Sequence, residues 1–322
     1  MGSSFFFRAV TRVDTMQGCV GGERLLELKQ LGNSTWYIPG RVNIGYYEEN
    51  EQGYLIDTGL DDDQGRKLLK LLNEERGVPL RAIVNTHSNA DHIGANSFIQ
   101  KRTNCQVWTT RIEGVLTEKT SLEPQLLWSG HPFKEIRGKF IEAKPSKVMF
   151  IENEGSVMDT ALTAVPLPGH YLDMIGVKTP DEVFFLADAL FDPAILAKYR
   201  FSVMLDVAGA YETLEMIEKT EAKWFVPCHA PATRDIRELV RQNREGLAWI
   251  TDAVYGALAQ PCTREEILSR IGVENELEMD ASHLLLNLAS VSSHLTYLSE
   301  LGKIEPFVQD CRLLWKKKRI EV

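Results

Sequence analysis

The segment from Thr86 to His92 constrains the fold of this chain more than any other. It places three strong metal ligands, His87, Asp91 and His92, within six residues, directly after the apolar run at 82–84. A strand that ends in such a cluster delivers two imidazoles and a carboxylate to one point at the edge of a sheet. This pattern favours metal binding over a packing role. The lack of cysteine leaves room for water, as in a catalytic site.

The composition is that of an ordinary globular protein. The chain has 322 residues, 44% hydrophobic and 25% charged, which predicts one large domain and a smaller one. The net charge of −9 argues against non-specific nucleic-acid binding, which needs a positive field. The five cysteines are scattered and form no C-x-x-C pair, so we expect neither a disulfide framework nor a cysteine-rich zinc site.

The sequence predicts no membrane segment and no secretion signal. No apolar run reaches the roughly 18 residues that a membrane span needs. The run Phe5-Phe6-Phe7 is interrupted by Arg8 and Arg12 before a signal peptide could develop. We therefore expect a cytoplasmic protein.

Up to about residue 231, short strand-like runs alternate with helical ones. Leucines at 68, 69, 71 and 72 mark a helix after the acidic start at 61–63, and residues 94–100 predict a second helix. This alternation favours a layered α/β architecture. The predicted strands are 54–56, 81–85, 106–108, 161–165, 175–177, 183–186 and 224–226.

Residues 112–146 interrupt this alternation with few strand signals. We interpret them as an insertion with short helices. It is either a surface elaboration or a lid over the cleft.

From residue 236 onward the pattern is helical. Thr263 and Glu266 form a capping box at a helix start, and apolar residues at steps of three and four from Leu284 to Leu301 predict another helix. Residues 290–293 leave open a division of this helix into two, and His294 is expected on its solvated, polar side. Two short strands around 309–310 follow, and three helices with a hairpin resemble a winged helix.

The charge of this C-terminal segment argues against a nucleic-acid partner. From residue 261 to 322 there are eight Lys and Arg against ten Asp and Glu, a difference of −2. The helix at 290–301, which would read DNA, carries no Lys or Arg, whereas DNA readers normally place basic residues there. A packing or substrate-walling role is therefore favoured.

Three later residues extend the first ligand cluster. His170 follows the run at 165–169, Asp188 follows the run at 184–187 and His229 follows the run at 225–228. Each would lie at a strand end, so six ligands would project from one edge of the sheet. Six ligands of this kind are enough for two metal ions that share a carboxylate.

In this order the motifs resemble those of the metallo-β-lactamase superfamily. The resemblance covers roughly residues 25–232, and five motifs in sequence are specific for the fold but not for the substrate. The matching elements are Ile56-Asp57-Thr58-Gly59, Thr86-His87-x-x-x-Asp91-His92-x-Gly94, Pro168-Gly169-His170, Leu186-Ala187-Asp188 and Pro227-x-His229.

The resemblance implies a fold, a metal site and a set of roles. The fold would be an αβ/βα four-layer sandwich over residues 20–235, with a smaller winged-helix-like domain at 236–322. The site would hold one or two divalent ions, most typically zinc, with Asp57 orienting ligands through hydrogen bonds. Asp91 would also orient the nucleophile or shuttle its proton. In the implied ligand set, His87 and His170 bind the first ion, Asp91, His92 and His229 bind the second, and Asp188 bridges them.

Asn89 departs from the family pattern, which usually has histidine there to complete the first site. An amide oxygen is a poorer ligand for zinc than imidazole and suits harder cations. The first ion could therefore be weakly held, it could be iron or manganese, or catalysis could be lost. The six other ligands argue against such a loss, because two carboxylates would repel each other without a cation.

The resulting expectation is a metal-dependent hydrolase that uses a metal-bound hydroxide on a small ester, thioester or lactone. Two alternatives stay open: a hydrolase of the same fold acting on RNA or another phosphodiester, and a metal-binding scaffold without catalysis. A small-molecule substrate is the expected partner, and the sequence leaves a homo-oligomer open.

Overall fold

The computed structural model of the protein describes residues 26–318. The expectations about the N-terminal segment, including the domain start at residue 20, lie outside these described residues. The first of two large sheets has seven strands that are neighbours in chain order, antiparallel from β1 to β4 and parallel from β4 to β7. Its strands are β1 (Lys29–Gln30), β2 (Thr35–Ile38), β3 (Ile44–Glu49), β4 (Gln52–Ile56), β5 (Leu80–Val84), β6 (Gln106–Thr110) and β7 (Met149–Ile151).

The second sheet has five strands in the spatial order β12-β11-β10-β9-β8. Its pairs are antiparallel except for β11 and β12, which are parallel. The chains of β9, β11 and β12 therefore run in the same direction and end at the same edge. The strands are β8 (Gly155–Ser156), β9 (Thr163–Pro166), β10 (Ile175–Lys178), β11 (Val183–Phe185) and β12 (Trp224–Val226).

Apolar side chains cover both faces of the first sheet, and successive side chains on a strand point to opposite faces. In β4, Tyr54 and Ile56 pack against the second sheet, where they meet Val177 and Phe185. Leu55 between them points the other way, into a separate apolar cluster. The two sheets are thus held face to face by one shared core.

Helices cover the outer face of each sheet. Helices α1 (Asp62–Glu75) and α3 (Asn96–Thr103) pack on the first sheet, and helices α7 (Val207–Lys219) and α8 (Arg237–Ala257) pack on the second. The result is helix, sheet, sheet, helix, the layered α/β arrangement that the sequence predicts. The predicted strands are present, and the predicted helix at 94–100 begins later, because residues 90–93 form a separate turn, α2 (Ala90–Ile93).

The segment at 112–146 contains α4 (Arg111–Glu118), α5 (Leu122–Trp128) and one short 3₁₀ turn at Lys134–Ile136. Its Glu123, Phe140 and Ile141 line a cavity beside the site described below. The segment is therefore part of the cavity wall. A second wall comes from α6 (Pro193–Tyr199).

The C-terminal segment consists of helices followed by a hairpin. After α8 come α9 (Arg264–Glu274), α10 (Ala281–Glu300), and the antiparallel strands β13 (Ile304–Gln309) and β14 (Arg312–Lys317). The predicted capping box is present at the start of α9. The N-terminal half of α8 packs on the second sheet, and its C-terminal half packs on α9 and α10.

Two expectations about α10 need correction. The helix is not divided at 290–293, because Ser292 and Ser293 donate hydrogen bonds to carbonyl oxygens four residues earlier and so stay within the helix. His294 is not solvated: it is fully buried, with Nδ1 2.9 Å from Thr251 Oγ1 of α8.

Within residues 26–318, every helix is too short or too polar to cross a membrane.

Candidate metal centre

The loops after β4, β5, β9, β11 and β12 meet at one edge of the two sheets. The loop after β5 folds at once into the short helix α2, which presents Asp91 and His92 on the side of the second sheet. This fold needs glycine at 94, because a Cβ there would lie 1.9 Å from the backbone oxygen of Leu60. Gly169 has a φ of +134° and lies against α7, which lets the His170 loop approach the helix.

All four histidines at this edge are held in the same way. In each ring Nδ1 meets an oxygen behind the site, and Nε2 faces the site. Such contacts behind a metal site fix the orientation and the tautomer of its ligands. The Nδ1 partners are Thr86 Oγ1 for His87 at 3.0 Å, Asp57 Oδ2 for His92 at 2.8 Å, the Val203 carbonyl for His170 at 2.8 Å and the Arg41 carbonyl for His229 at 2.8 Å.

The Thr86 hydroxyl sets the tautomer of His87. Its single proton is donated to Asp57 Oδ2 at 2.8 Å, so its oxygen can only accept from the ring of His87. Nδ1 of His87 therefore carries the hydrogen, and Nε2 offers a lone pair to the site. The backbone N–H of Thr86 donates to the other oxygen of Asp57 at 2.9 Å, so this aspartate supports both His87 and His92 from behind.

Asp188 lies at the centre of the ligand atoms. Its Oδ1 is 3.2 Å from Nε2 of His92, and its Oδ2 is 3.2 Å from Nε2 of His229 and 3.7 Å from Nε2 of His170. Asp91 Oδ2 lies 3.4 Å from Nε2 of His229. One buried carboxylate thus faces three imidazoles, which is the arrangement expected of a bridging ligand.

The ligand atoms fall into two overlapping groups. His87, His92 and Asp188 each offer one atom within 4.8 Å of the others, and so do Asp91, His92 and His229. The structure therefore brings the predicted residues to one place. How the ligands divide between a first and a second ion stays a prediction.

The electrostatics divide the four imidazoles into two pairs. Burial alone would lower the pKa of His92 and of His229, but the facing carboxylate of Asp188 outweighs it, which raises the pKa of His92 well above its ordinary value and that of His229 to about 10. Burial and the neighbouring His92 hold the pKa of His87 well below its ordinary value. Burial also lowers the pKa of His170. Burial alone would raise the pKa of Asp188, but His229 and His92 outweigh it and hold the carboxyl well below its ordinary range.

Asn89 turns its carbonyl oxygen towards the site. Its amide Nδ2 donates to Oε1 of Glu123 at 2.9 Å, which leaves Oδ1 2.9 Å from Nε2 of His170. In neutral His170 the ring hydrogen is on Nδ1, which donates to the Val203 carbonyl. The lone pair of Nε2 therefore faces a lone pair of Asn89 Oδ1. A cation between them would relieve this repulsion.

Glu123 and Glu113 are functional residues that the sequence reasoning missed. Glu113 accepts from the Ser88 backbone N–H at 2.9 Å and the Ser88 hydroxyl at 2.7 Å, and from the Asp173 backbone N–H at 2.7 Å. It therefore ties together the two loops that carry His87 and His170. Burial raises the pKa of Glu113 to about 7 and that of Glu123 to about 8. Both lie in the 112–146 segment or at its border, and no motif marked them.

The residues present fit a divalent cation. Three buried atoms that face this point make no well-formed hydrogen bond among the described residues, namely His87 Nε2, His92 Nε2 and Asp188 Oδ1, although the last two lie 3.2 Å apart. A buried polar atom without a partner costs about 1–3 kcal/mol, and three at one point are unusual unless a ligand satisfies them. Asp57, His92 and Cys228 also lie close together, and burial raises the pKa of the Cys228 thiol to about 12, so this thiol is neutral in the metal-free protein.

A cavity of about 290 Å³ opens directly over these ligands. Its floor includes Asn89, Asp91, His170 and Asp188, and its walls are mostly apolar. The metal centre is therefore open to a small molecule from one side.

Comparison with known proteins gives matches at the level of family and fold. The family model for the metallo-beta-lactamase superfamily matches residues 37–229. A beta-lactamase domain protein from Burkholderia ambifaria superimposes with a TM-score of 0.67 at 15% identity, covering 91% of this chain and 94% of that chain. A metallo-beta-lactamase family protein from Thermus thermophilus gives a TM-score of 0.66 at 18% identity, covering 91% of this chain and 99% of that chain.

Curated relatives are more distant. A linear primary-alkylsulfatase from a Pseudomonas species is 22% identical over 253 residues, which is 67% of this chain and 47% of the relative. An uncharacterized protein of Bacillus subtilis, YobT, is 29% identical over 150 residues, 45% of this chain and 56% of that protein. The chain thus spans about half the length of the curated relatives it matches.

Proposed function

The chain belongs to the metallo-beta-lactamase superfamily, and we propose that it is a metal-dependent hydrolase of a small ester, thioester or lactone. One observation carries the proposal: unpartnered imidazole and carboxylate atoms converge around Asp188, which lies on the floor of a cavity that a small molecule can enter. A structural metal site would be closed on all sides, whereas a catalytic site keeps one side open.

In this proposal the ligands divide as the superfamily motifs imply. His87, Asn89 and His170 hold one ion, and Asp91, His92 and His229 hold the other. Asp188 lies between them. Zinc is the first candidate, and the amide oxygen of Asn89 also suits iron or manganese. A bound divalent ion supplies a Lewis acid that activates water and polarises the oxygen of the scissile bond.

The side chains of the protein orient the attacking water and exclude other water from the site. Asp91 is more exposed to the cavity than Asp188, with a side chain 36% exposed against 6%. Of the two it is therefore placed to accept a proton from the attacking water. The apolar walls exclude other water from the scissile bond, which strengthens each polar contact at the floor.

The curated relatives extend the substrate classes to be tested. One of them is named a linear primary-alkylsulfatase, so sulfate esters belong beside carboxylic esters in a substrate panel. We also propose that the acidic C-terminal segment from residue 236 is a winged-helix-like unit. Its role would be to form part of the cavity wall and not to bind nucleic acid. The net charge of −9 disfavours the phosphodiester alternative, because a polyanionic substrate is attracted by a positive field.

Metal content is the first test. Protein purified without added metal should contain a divalent ion by elemental analysis, and Asp188→Asn and His170→Ala should each lower the amount. Asp63→Asn and His131→Ala, the same kind of change at exposed positions, should leave it unchanged. Variants that retain the wild-type metal content would contradict the ligand assignment.

Activity is the second test. Enzyme loaded with the ion found is assayed on carboxylic ester, thioester, lactone, sulfate ester and phosphodiester substrates. We expect turnover on at least one ester class, its loss with a chelator and its recovery when the ion is restored. A metal-loaded protein that is inactive on the whole panel would overturn the proposal.

A further inference from the structure

The cavity over the candidate metal centre is lined mostly by apolar side chains. We propose that it binds an unbranched aliphatic chain attached directly to the scissile bond of the substrate. The position of the scissile bond at the metal ligands rests on the proposed hydrolase function. The presence of the apolar subsite does not depend on hydrolysis.

The shape of the cavity separates a polar end from an apolar end. The polar end is the floor, formed by ligands that include Asp91, His170 and Asp188. Away from the floor the lining includes a few polar residues such as Lys198, Glu278 and Asn287, but most of it consists of aliphatic and aromatic side chains. These are Phe140, Ile141, Phe191, Ile195, Leu196, Phe201, Val203, Leu277, Met279 and Leu286. A substrate that fits both ends carries its reactive group at one end and a hydrocarbon chain at the other.

Helix α6 offers apolar side chains to the cavity, since Ile195 and Leu196 pack only partly against the core over the second sheet. None of its residues is buried, although Ile195 and Leu196 turn towards the cavity. Opposite it, Phe140 remains 58% exposed. Apolar side chains gathered around a concave space in this way mark a binding site more often than a bare surface.

Helices α6 and α10 meet at one end of the cavity, which limits the space there. The rings of Tyr199 and His283 stack with their centroids 5.9 Å apart, and both residues line the cavity. Lys198 Nζ lies 3.1 Å from the Tyr199 hydroxyl and so stays at this end. The subsite therefore has a limited depth, and a volume of about 290 Å³ is at the small end for ligand sites. It suits a chain of medium length rather than a bulky ring system.

Binding of straight-chain primary alcohols from butanol to dodecanol tests the subsite without hydrolysis. Affinity should rise about fourfold with each methylene, the change that burial of one CH₂ produces. It should stop rising when the chain reaches the Tyr199–His283 contact. Isothermal titration of the metal-loaded protein measures both the slope and the plateau.

Two leucines of α10 provide a matched pair of variants. Leu286 lines the cavity, whereas Leu284, on the same helix, is 44% exposed and lies outside it. Leu286→Asn should reduce the gain per methylene and Leu284→Asn should not. Ile195→Trp fills part of the space, so the plateau should move to shorter alcohols, and this variant tests the subsite even if Leu286→Asn lowers stability.

A parallel series of p-nitrophenyl esters with acyl chains of two to twelve carbons separates the two proposals. Turnover of the shortest ester without any dependence on chain length would overturn the subsite and leave the hydrolase intact. Alcohols that bind with the expected slope, in a protein that hydrolyses no ester of the panel, would overturn the hydrolase and keep the subsite. If KM falls with chain length as the alcohol affinity rises, both are supported.

Discussion

Replacing Asp57 with asparagine tests how the metal ligands are oriented. Asp57 has a φ of +62°, a backbone conformation that asparagine also tolerates, so the change affects mainly the side-chain contacts. The carboxylate accepts from the Thr86 N–H, the Thr86 hydroxyl and Nδ1 of His92. Asparagine can keep the first contact through its oxygen. Its NH₂ group, a donor, then faces the Thr86 hydroxyl and Nδ1 of His92, where the wild type has a carboxylate oxygen that accepts.

The tautomer of His92 should then change. With a donor facing Nδ1, the ring keeps its lone pair there and carries the hydrogen on Nε2, the atom that lies 3.2 Å from Asp188 in the site. A protonated nitrogen cannot bind a metal. Loss of a contact that orients a metal ligand typically lowers metal affinity by about 10–100-fold, which corresponds to about 1.4–2.7 kcal/mol. We expect a loss in this range for Asp57→Asn.

Competition against a chromophoric zinc chelator at constant pH measures this affinity. Asp63→Asn, an exposed aspartate that pairs with Arg66, is the matched control and should bind zinc like the wild type. Nitrogen-15 shifts of the imidazole ring report which nitrogen of His92 carries the hydrogen, a readout that loss of charge alone would not change. Zinc affinity within a factor of two of the wild type, with an unchanged tautomer, would refute the reasoning.

The remaining predictions concern Asn89 and His294. Asn89→His should raise zinc affinity at the first position, because imidazole is the better zinc ligand; identical zinc titrations for variant and wild type would show that Asn89 does not contact the ion. Burial lowers the pKa of His294 to about 3, below the unfolded value of about 6.5. The stability that the neutral imidazole contributes is therefore fully present above pH 6.5 and is lost as the pH falls towards the folded pKa. Between pH 7 and pH 5 the wild type should lose about 2 kcal/mol more than His294→Leu in urea unfolding; parallel losses in the two proteins would contradict this.

The sequence predicted that four of the proposed ligands gather at one point because each follows a strand, and their role as ligands stays a prediction. His87, His170, Asp188 and His229 lie next to apolar runs, and parallel strands bring such positions to one edge. The orientation of Asn89 could not be predicted in the same way. It depends on Glu123, 34 residues away on a helix of the 112–146 segment, and no spacing rule connects the two.

The errors in α10 have a different physical cause. A hydrophobic pattern assigns polar residues to the solvent side, but Ser290 and His294 are fully buried there. Contacts with other elements, such as Thr251 of α8 and the backbone of residue 202, pair the hydroxyl of Ser290 and Nδ1 of His294, whereas Nε2 of His294 has no hydrogen-bond partner among the described residues. Leu284 and Leu301, at the two ends of the same pattern, are 44% and 50% exposed. The hydrophobic pattern predicted the helix α10 but not which of its side chains are buried.

Helix α8 connects the unfolding of the two parts of the molecule. Val240 and Leu247 complete the core over the second sheet, while Ile250 and Val254 complete the core of the C-terminal helices. A chain cut at residue 235 would expose the outer apolar face of the sandwich to water. The sandwich and the C-terminal helices should therefore melt together, in a single calorimetric transition, instead of as two independent units.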